Sequence, residues 1–203
     1  MEANLTEKEA ALVRESIREK YSQVAASGTA SCFKYPTGEE GLKQQKYPLD
    51  LLQDFPTALI DSFCGVGNPF SLGPIHPGEA VLDIGCGAGL DALVAARMVG
   101  PEGRVAGIDV TQAMIDKAGA NLSVLGLKNV SFQVAEAESL PFPDNYFDVV
   151  ISNGVFNLTL DKEKALKEAH RVLKPGGRLL LADMVLTAEL PPDKAGKIEN
   201  WYQ

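Results

Sequence analysis

Three glycines at alternate positions, Gly85, Gly87 and Gly89, lie directly after Asp83 in the stretch LDIGCGAGLD (82–91). Because glycine has no Cβ and adopts positive φ without strain, this spacing predicts a sharp turn that a ligand can approach closely. A helix that begins near Gly89 directs its first N–H groups at the turn, which favours a carboxylate or a phosphate. Asp83 attracts an ammonium and repels a pyrophosphate. These residues therefore favour a ligand that carries both an amino group and a carboxylate.

A dinucleotide cofactor is the alternative that this turn leaves open. Dinucleotide sites usually have G-x-G-x-x-G spacing, whereas here the spacing is G-x-G-x-G and Leu90 occupies the position of the third glycine. An NAD-dependent dehydrogenase is therefore an alternative function for this chain. This alternative predicts that NAD raises the melting temperature of the protein.

Two further acidic residues follow the next predicted strands. Asp109 ends RVAGID, where a carboxylate can accept hydrogen bonds from both ribose hydroxyls in either cofactor class. Glu136 follows the third strand, where its side chain can accept a hydrogen bond from an adenine amino group while the Ala137 N–H donates to the ring. Met114, in the first turn of the intervening helix, can cover the adenine face. These positions predict a nucleoside beside the glycine turn.

The elements that must position these residues alternate between strands and helices from residue 80 onward. The predicted strands are AVLDIG (80–85), RVAGID (104–109), NVSFQVA (129–135), YFDVVISN (146–153) and RLLLADMVL (178–186). The predicted helices are 90–99, 111–124 and one that begins at an Asp161 cap, buries Leu166 among its apolar residues and stops at KPGG. Strands separated by helices imply right-handed crossovers, so we predict an α/β, Rossmann-like, doubly wound and mostly parallel sheet with helices on both faces. Its ligand site lies beyond the carboxyl ends of the strands.

The region before this sheet has a different pattern. Thr6 and Glu9 make a capping-box signal, and apolar residues then recur at helical spacing up to Gly28, which predicts an amphipathic helix. Residues 28–79 show weak periodicity, and a segment this long without firm structure is typical of a lid or of the wall of a site. We therefore predict an N-terminal helical lid.

The composition limits the partners and the compartment. The net charge is −8 and the chain has no lysine or arginine run, so we expect a small-molecule ligand and no nucleic acid. The N-terminus carries charges throughout and no later segment has the length to span a bilayer, so we expect a cytoplasmic protein with no membrane partner. Cys32, Cys64 and Cys86 are widely spaced and form no CxxC, which predicts neither a disulfide framework nor a metal site.

Four stretches together resemble the class I S-adenosylmethionine-dependent methyltransferases: VLDIGCGAGLD, GRVAGID, AEAESLPFPDNYFDVVISN and RVLKPGGRLLLAD. The resemblance covers about residues 78–186 and implies S-adenosylmethionine as the cofactor. It implies that Asp83 and the glycine turn hold the methionine part, Asp109 the ribose, and Glu136 with Ala137 the adenine edge. The implied cofactor-binding residues are Asp83, Gly85, Cys86, Gly87, Gly89, Asp109, Val110, Met114, Glu136, Ala137, Ser152 and Asn153.

Within this family, CGVGNP (64–69), GIDVTQAMIDKA and SNGVFNLTLDKEKALKEAHRVLKPGGR are most similar to the arsenite methyltransferases. That group holds trivalent arsenic with cysteine thiolates, one of them in an SNC-type turn, where this chain has Gly154. A soft metalloid needs two or three convergent thiolates, and Cys32 and Cys64 are the candidates here. The resemblance implies methyl transfer to a small molecule, with an arsenite-like acceptor as one form of it.

Candidate catalytic residues follow from the chemistry of methyl transfer. The reaction is an in-line displacement, so alignment of the reactants and exclusion of water are the main tasks of the protein. A general base is required only for an acceptor that carries a proton, and the sequence offers no convincing one. Asn153 and Asn157 can either orient an acceptor or cap backbone in a turn, and Cys32 and Cys64 complete the catalytic candidates.

We divide the chain into an N-terminal helix with a lid or substrate-side segment (1–79), the cofactor-binding core (80–186) and a short tail (187–203). The resembled family usually has two further strands after the fifth, and these C-terminal strands are missing from the pattern. Either the chain is a fragment, or it is a short form whose exposed sheet edge the N-terminal segment or a second copy in a homodimer must cover. A further alternative function is a protein that binds the cofactor without catalysing methyl transfer, which we call the silent binding module.

Overall fold

One parallel sheet organises the computed structural model, which describes residues 6–29 and 32–185. Its strands are β1 (Ala80–Ile84), β2 (Arg104–Asp109), β3 (Val130–Val134), β4 (Phe147–Asn153) and β5 (Leu173–Ala182). Within the described residues, their order in the sheet is β3-β2-β1-β4-β5. The strands of the sheet all pair in parallel, in agreement with the mostly parallel sheet that the sequence predicts. The chain order reverses between β1 and β4, and in open α/β sheets ligands bind at such a switch point.

The helices connect these strands and cover them. Glu9 and Thr6 form a capping box at the start of the first helix, and Asp161 caps the last, as predicted. Two 3₁₀ turns lie at Leu49–Leu52 and Pro69–Ser71. The helices are α1 (Glu7–Ser27), α2 (Gly38–Gln44), α3 (Thr57–Ile60), α4 (Leu90–Val99), α5 (Gln112–Leu125) and α6 (Lys162–Val172). Among the described residues, no helix combines the length and the apolar character needed to cross a membrane.

Alternate residues of the central strands pack against opposite helix layers, because side chains along a strand point to opposite faces. Val81 of β1 lies in a buried cluster with Ala92 and Ala95 of α4, whereas Leu82 lies in a cluster with Ala165 and Ala169 of α6. Helices therefore cover both faces, which explains why the strands read as continuous apolar runs rather than as alternating ones.

Two predictions near the end of the core are wrong. The strand predicted at 178–186 begins earlier, at Leu173, and ends at Ala182, because KPGG forms an irregularity inside β5 rather than preceding it. Leu166 is 42% exposed instead of buried, since the inward face of α6 consists of Ala165, Ala169 and Val172. The predicted tail, 187–203, lies outside the described residues.

The segment predicted to lack firm structure, 28–79, contains short helices and turns. Its apolar side chains, among them Leu42, Leu59 and Phe63, form one buried cluster with Leu90 and Leu93 of α4. A short helix has too few turns to give a clear hydrophobic periodicity, which is why the sequence pattern did not predict α2. Residues 62–65 of this segment line the cleft beyond the carboxyl ends of the strands.

Candidate functional site

A cleft lies beyond the carboxyl ends of β1, β2 and β4, where the sequence predicts the ligand site. Its floor is the turn that follows β1, and its sides come from the loops after the other strands. The N-terminal helix α1 and residues 62–65 close the opposite side. Ten of the residues predicted for the cofactor line this cleft: Asp83, Gly85, Cys86, Gly87, Asp109, Val110, Met114, Glu136, Ala137 and Asn153.

Four other predicted site residues do not line the cleft. The buried Ser152 hydroxyl donates to the Ile84 carbonyl at 2.9 Å and so joins β4 to β1. Gly89 is the N-cap of α4, in the left-handed conformation. Asn157 donates its backbone N–H to Asp183, and the Cys32 Sγ lies 3.7 Å from the Gly28 carbonyl oxygen.

The glycine turn has the conformation that its spacing predicts. Its three glycines all have positive φ, of +74° at Gly85, +51° at Gly87 and +92° at Gly89. Residues with a side chain rarely adopt this region. A Cβ on Gly85 would also overlap the Val155 side chain, which forms the neighbouring part of the cleft. A Cβ on Gly87, in contrast, would meet nothing within 4 Å, so this face of the turn is open to a ligand.

Asp109, at the end of β2, fixes the geometry on the ribose side predicted for the cleft. Its Oδ2 accepts the Gly87 N–H at 3.1 Å, and its Oδ1 accepts the Thr111 N–H at 2.9 Å. Burial raises the pKa of the Asp109 carboxyl, and these backbone donors oppose the increase. Each carboxylate oxygen retains acceptor capacity, which suits a pair of vicinal hydroxyls.

Asp83 is a buried carboxyl group with an unpaired oxygen. The residue is 2% exposed and its Oδ2 has no hydrogen-bond partner, although it lines the cleft. Burial first, and then the charge of Asp91, raise the pKa of Asp83 well above its usual range. An unpaired buried acceptor of this kind is costly unless a ligand supplies a donor. The residues therefore fit the amino group of the ligand that the sequence predicts.

The site also contains Asp91, which lines the cleft, and Tyr47, which is bonded to it. The sequence predicts neither residue. The Tyr47 hydroxyl donates to Asp91 Oδ1 at 2.8 Å, and the Asn153 amide donates to Asp91 Oδ2 at 3.1 Å. Burial raises the pKa of the Asp91 carboxyl to about 6, although both donors oppose the increase. The acidic Asp91 already stands within the quoted glycine stretch and could have been noticed there. Tyr47 gives no sequence signal, because it comes from a weakly patterned segment.

The raised pKa of Asp91 predicts a pH-dependent stability difference. The pKa of Asp91 is about 6 in the folded protein, whereas its ordinary value is 3.8. Between these two pH values, the folded state therefore retains a proton that the unfolded chain has released. Stability from this group is present at low pH and is lost as pH rises through 6. Asp91→Asn cannot ionise, so its free energy of unfolding relative to wild type should rise by about 2–3 kcal/mol between pH 4 and pH 7.

Urea unfolding at a series of pH values measures this difference. The exposed Gln53 supplies the control: Gln53→Ala removes no titratable group and should leave the pH profile unchanged. A difference between Asp91→Asn and wild type that stays constant with pH would contradict the prediction.

The Asn153 side chain joins residues 66 and 67 to the end of β4 by hydrogen bonds. Its Oδ1 accepts the N–H groups of Val66 at 2.8 Å and Gly67 at 3.1 Å, and its Nδ2 donates to the Gly67 carbonyl at 2.8 Å. The same Nδ2 donates to the Tyr47 hydroxyl at 2.9 Å. Of the two roles considered for Asn153, the structure therefore shows the capping of backbone.

One face of α1 covers the adenine side predicted for the cleft. Arg14, Ile17, Arg18 and Tyr21 recur at helical spacing and all line the cleft. Arg18 Nη2 lies 3.4 Å and Arg14 Nε 3.9 Å from Glu136 Oε1, so the predicted adenine-edge carboxylate also pairs with α1. These partly exposed ion pairs contribute little to stability, and 39% of the Glu136 side chain remains exposed.

Two of the three thiols line the cleft, those of Cys64 and Cys86. Burial raises the pKa of the Cys64 thiol to about 12, and Cys32, which does not line the cleft, acts on it electrostatically in the same direction. The position of the SNC-type cysteine, Gly154, has φ of +75°, and a Cβ there would lie 3.3 Å from Val66. Across residues 6–29 and 32–185, no three histidine, cysteine, aspartate or glutamate side chains form a group that could hold a metal ion.

The chain has a parallel α/β sheet with a glycine turn after its first strand. An unpaired acid lies in that strand, and a second acid lies at the end of β2. Together these features define the class of S-adenosylmethionine-dependent methyltransferases. A family described as a methyltransferase domain matches residues 75–203, which is more than half of the chain. The chain belongs to this family. Its membership favours the methyltransferase prediction over the NAD-dependent dehydrogenase.

Named relatives support the same assignment. The chain is 38% identical over 193 residues to an arsenite methyltransferase from Halobacterium salinarum, an alignment that covers 89% of this chain and 49% of that protein. It is 44% identical over 123 residues to the ubiquinone/menaquinone biosynthesis C-methyltransferase UbiE from Serratia proteamaculans, covering 60% of this chain and 49% of the relative. The chain thus spans about half the length of these curated relatives.

A solved structure has the same fold. The crystal structure of an arsenic(III) S-adenosylmethionine methyltransferase from Chlamydomonas reinhardtii matches with a TM-score of 0.67 and 38% sequence identity. The match covers 73% of this chain and 52% of that chain. The predicted fold class and the predicted similarity to arsenite methyltransferases are both confirmed.

Proposed function

We propose that the chain transfers the methyl group of S-adenosylmethionine to a small molecule. The unpaired, buried Asp83 Oδ2 in the cleft is the observation that carries this proposal, because it requires a donor such as the cofactor's ammonium. The glycine turn would lie against the methionine part, Asp109 would accept the ribose hydroxyls, and Glu136 with Ala137 would face the adenine edge. The net charge of −8 favours a small acceptor over a nucleic acid.

The residues of the cleft favour an acceptor that brings its own nucleophilic lone pair. When bound, S-adenosylmethionine supplies an electrophilic methyl group on a sulfonium. Burial raises the pKa of both Tyr21 and Cys64, so these two cleft residues hold their protons at neutral pH. Asp91 has a pKa of about 6, but both of its oxygens already accept hydrogen bonds, from Tyr47 and Asn153. The task of the chain is therefore alignment and exclusion of water, which can lower a barrier by about 7–11 kcal/mol.

Binding and transfer can be tested separately. Calorimetry should show binding of S-adenosylmethionine and of S-adenosylhomocysteine, with no binding of NAD. Transfer of a radiolabelled methyl group should then be measured with thiol, metalloid, quinol and amine acceptors. Transfer to one of these classes supports the proposal, whereas cofactor binding without transfer to any of them favours the silent binding module.

Arsenite is a second candidate acceptor, favoured by similarity to an arsenite methyltransferase along 89% of the chain. If trivalent arsenic binds in the cleft, Cys64 is the thiol that lines the side next to residues 62–65, and Cys32 acts on it electrostatically. We therefore expect Cys64→Ser to abolish arsenite-dependent transfer by losing a soft ligand. Cys32→Ser should abolish it as well, because a soft metalloid needs a second thiolate. Equal arsenite-dependent rates in wild type and Cys64→Ser would discard arsenite.

A further inference from the structure

The carboxylate predicted for the adenine edge, Glu136, has one bonded oxygen and one open oxygen. Arg18 Nη2 donates to Glu136 Oε1 at 3.4 Å, and Arg14 Nε lies 3.9 Å from the same oxygen. Among the residues that the structure describes, no donor bonds to Oε2. All three side chains line the cleft. Oε2 therefore keeps its acceptor capacity for a ligand.

Helix α1 carries the two arginines on the face that covers the cleft. They are four residues apart and therefore lie one above the other on the helix. Val13 and Val24 of the same helix are buried, and the helix packs against α5. Lys117 of α5 donates to the Ala25 carbonyl at 3.1 Å, near the end of α1. Tertiary packing thus fixes the helix from which both guanidinium groups reach Glu136.

An open carboxylate oxygen at this position suits a purine that carries an amino group at C6. In the proposed function, Glu136 accepts from that amino group while the buried Ala137 donates its N–H to ring nitrogen N1. A 6-oxo purine reverses both groups, because it has a carbonyl oxygen at C6 and an N–H at N1. A site built to hydrogen-bond a ligand group rejects an analogue that leaves the site unpaired. This selection depends on Glu136 staying in place, since a carboxylate that turns into solvent no longer meets the group at C6.

We propose that Arg14 and Arg18 are positioning residues that orient Glu136, so that the cleft selects a cofactor with a 6-amino purine. This inference rests on the proposed function. Two guanidinium groups beside Oε1 restrict rotation of the carboxylate before the cofactor binds, and a side chain that is already ordered loses less freedom on binding. Such partly exposed ion pairs add little to the stability of the fold, so recognition is the property that they change.

S-inosylhomocysteine isolates the purine edge, because it has the net charge of S-adenosylhomocysteine but a 6-oxo group in place of the 6-amino group. Calorimetry should show that wild type binds S-adenosylhomocysteine about 30-fold more tightly than S-inosylhomocysteine. The double variant Arg14→Gln/Arg18→Gln should bind S-adenosylhomocysteine about fivefold more weakly than wild type and S-inosylhomocysteine with the wild-type Kd. An unchanged ratio of the two Kd values would overturn the inference, because a merely structural role of α1 weakens both ligands alike. Tighter binding of S-adenosylhomocysteine would also overturn it, by showing that the arginines compete with adenine for Glu136.

A substitution of Glu136 shows whether the arginines act through it. Glu136→Ala removes the acceptor, so the preference for S-adenosylhomocysteine should fall by about fivefold or more. In this background, the two arginine substitutions should leave the ratio of the Kd values unchanged, because the group that they orient is gone. A further fall in the ratio would overturn the inference.

A matched control and one distinct outcome complete the design. Lys8→Gln removes a positive charge from an exposed position of α1 outside the cleft, and it should keep both Kd values. Failure of wild type to bind S-adenosylhomocysteine at all would defeat the proposed function. Normal binding with a ratio that the arginine substitutions do not change would defeat only the role of the two arginines.

Discussion

Replacing Asp109 with alanine is expected to weaken binding of S-adenosylhomocysteine by about 100-fold. The carboxylate would accept two ribose hydroxyls, and each charge-assisted hydrogen bond contributes about 1.5–3 kcal/mol. A total loss of about 3 kcal/mol corresponds to two powers of ten in Kd. The same substitution removes the acceptor for the Gly87 N–H at 3.1 Å and so loosens the turn that faces the ligand. Calorimetric titration measures the effect.

Two further variants show whether the loss comes from the ribose contact. Asp109→Asn keeps one acceptor oxygen and should bind about tenfold more weakly than wild type. Asp116→Asn changes an exposed aspartate of α5 and should bind normally. An unchanged Kd in Asp109→Ala would show that the ribose assignment is misplaced.

The core and its glycine turn could be predicted because local rules determine them. Alternating strand and helix patterns, an Asp161 cap and three glycines at alternate positions each require one conformation, and the structure has all of them. The placement of Asp83 and Asp109 follows from parallel topology, since the carboxyl ends of neighbouring strands meet at one edge.

The acceptor side could not be predicted, because its contacts join residues far apart in sequence. Tyr47 lies 44 residues before Asp91, and no periodicity connects the two. The sequence allows Asn153 either to orient a substrate or to cap backbone, and only the position of Val66 and Gly67 distinguishes these roles. Short helices stabilised by tertiary packing carry weak local signals, which is why residues 28–79 were predicted only in outline.

Replacing Asn153 with alanine is expected to lower the free energy of unfolding by about 3 kcal/mol. The substitution leaves the part-buried N–H groups of Val66 and Gly67 without their acceptor and also removes the donor to Asp91. A lost hydrogen bond of this kind costs about 1 kcal/mol, so the three together give about 3 kcal/mol. Urea unfolding measures the loss. Asn129→Ala is the matched control, because Asn129 donates to the carbonyls of Ala96 and Gly100 away from the cleft. Only Asn153→Ala should speed amide exchange at Val66 and Gly67; equal acceleration in both variants would contradict the role of Asn153 in holding these residues.

Replacing Asn153 with aspartate is expected to make stability depend on pH in a way that alanine does not. The retained oxygen can still accept the N–H groups of Val66 and Gly67, but the other oxygen replaces the amide that donates to Asp91 Oδ2 at 3.1 Å. Two carboxyls at this distance cannot both ionise, so one pKa is raised in the folded state and stability is lost as pH rises through it. Asn153→Asp should therefore be less stable at pH 8 than at pH 5 by on the order of 2 kcal/mol relative to Asn153→Ala. If the two variants kept a constant stability difference across this range, the amide of Asn153 would not be bonded to an ionisable Asp91.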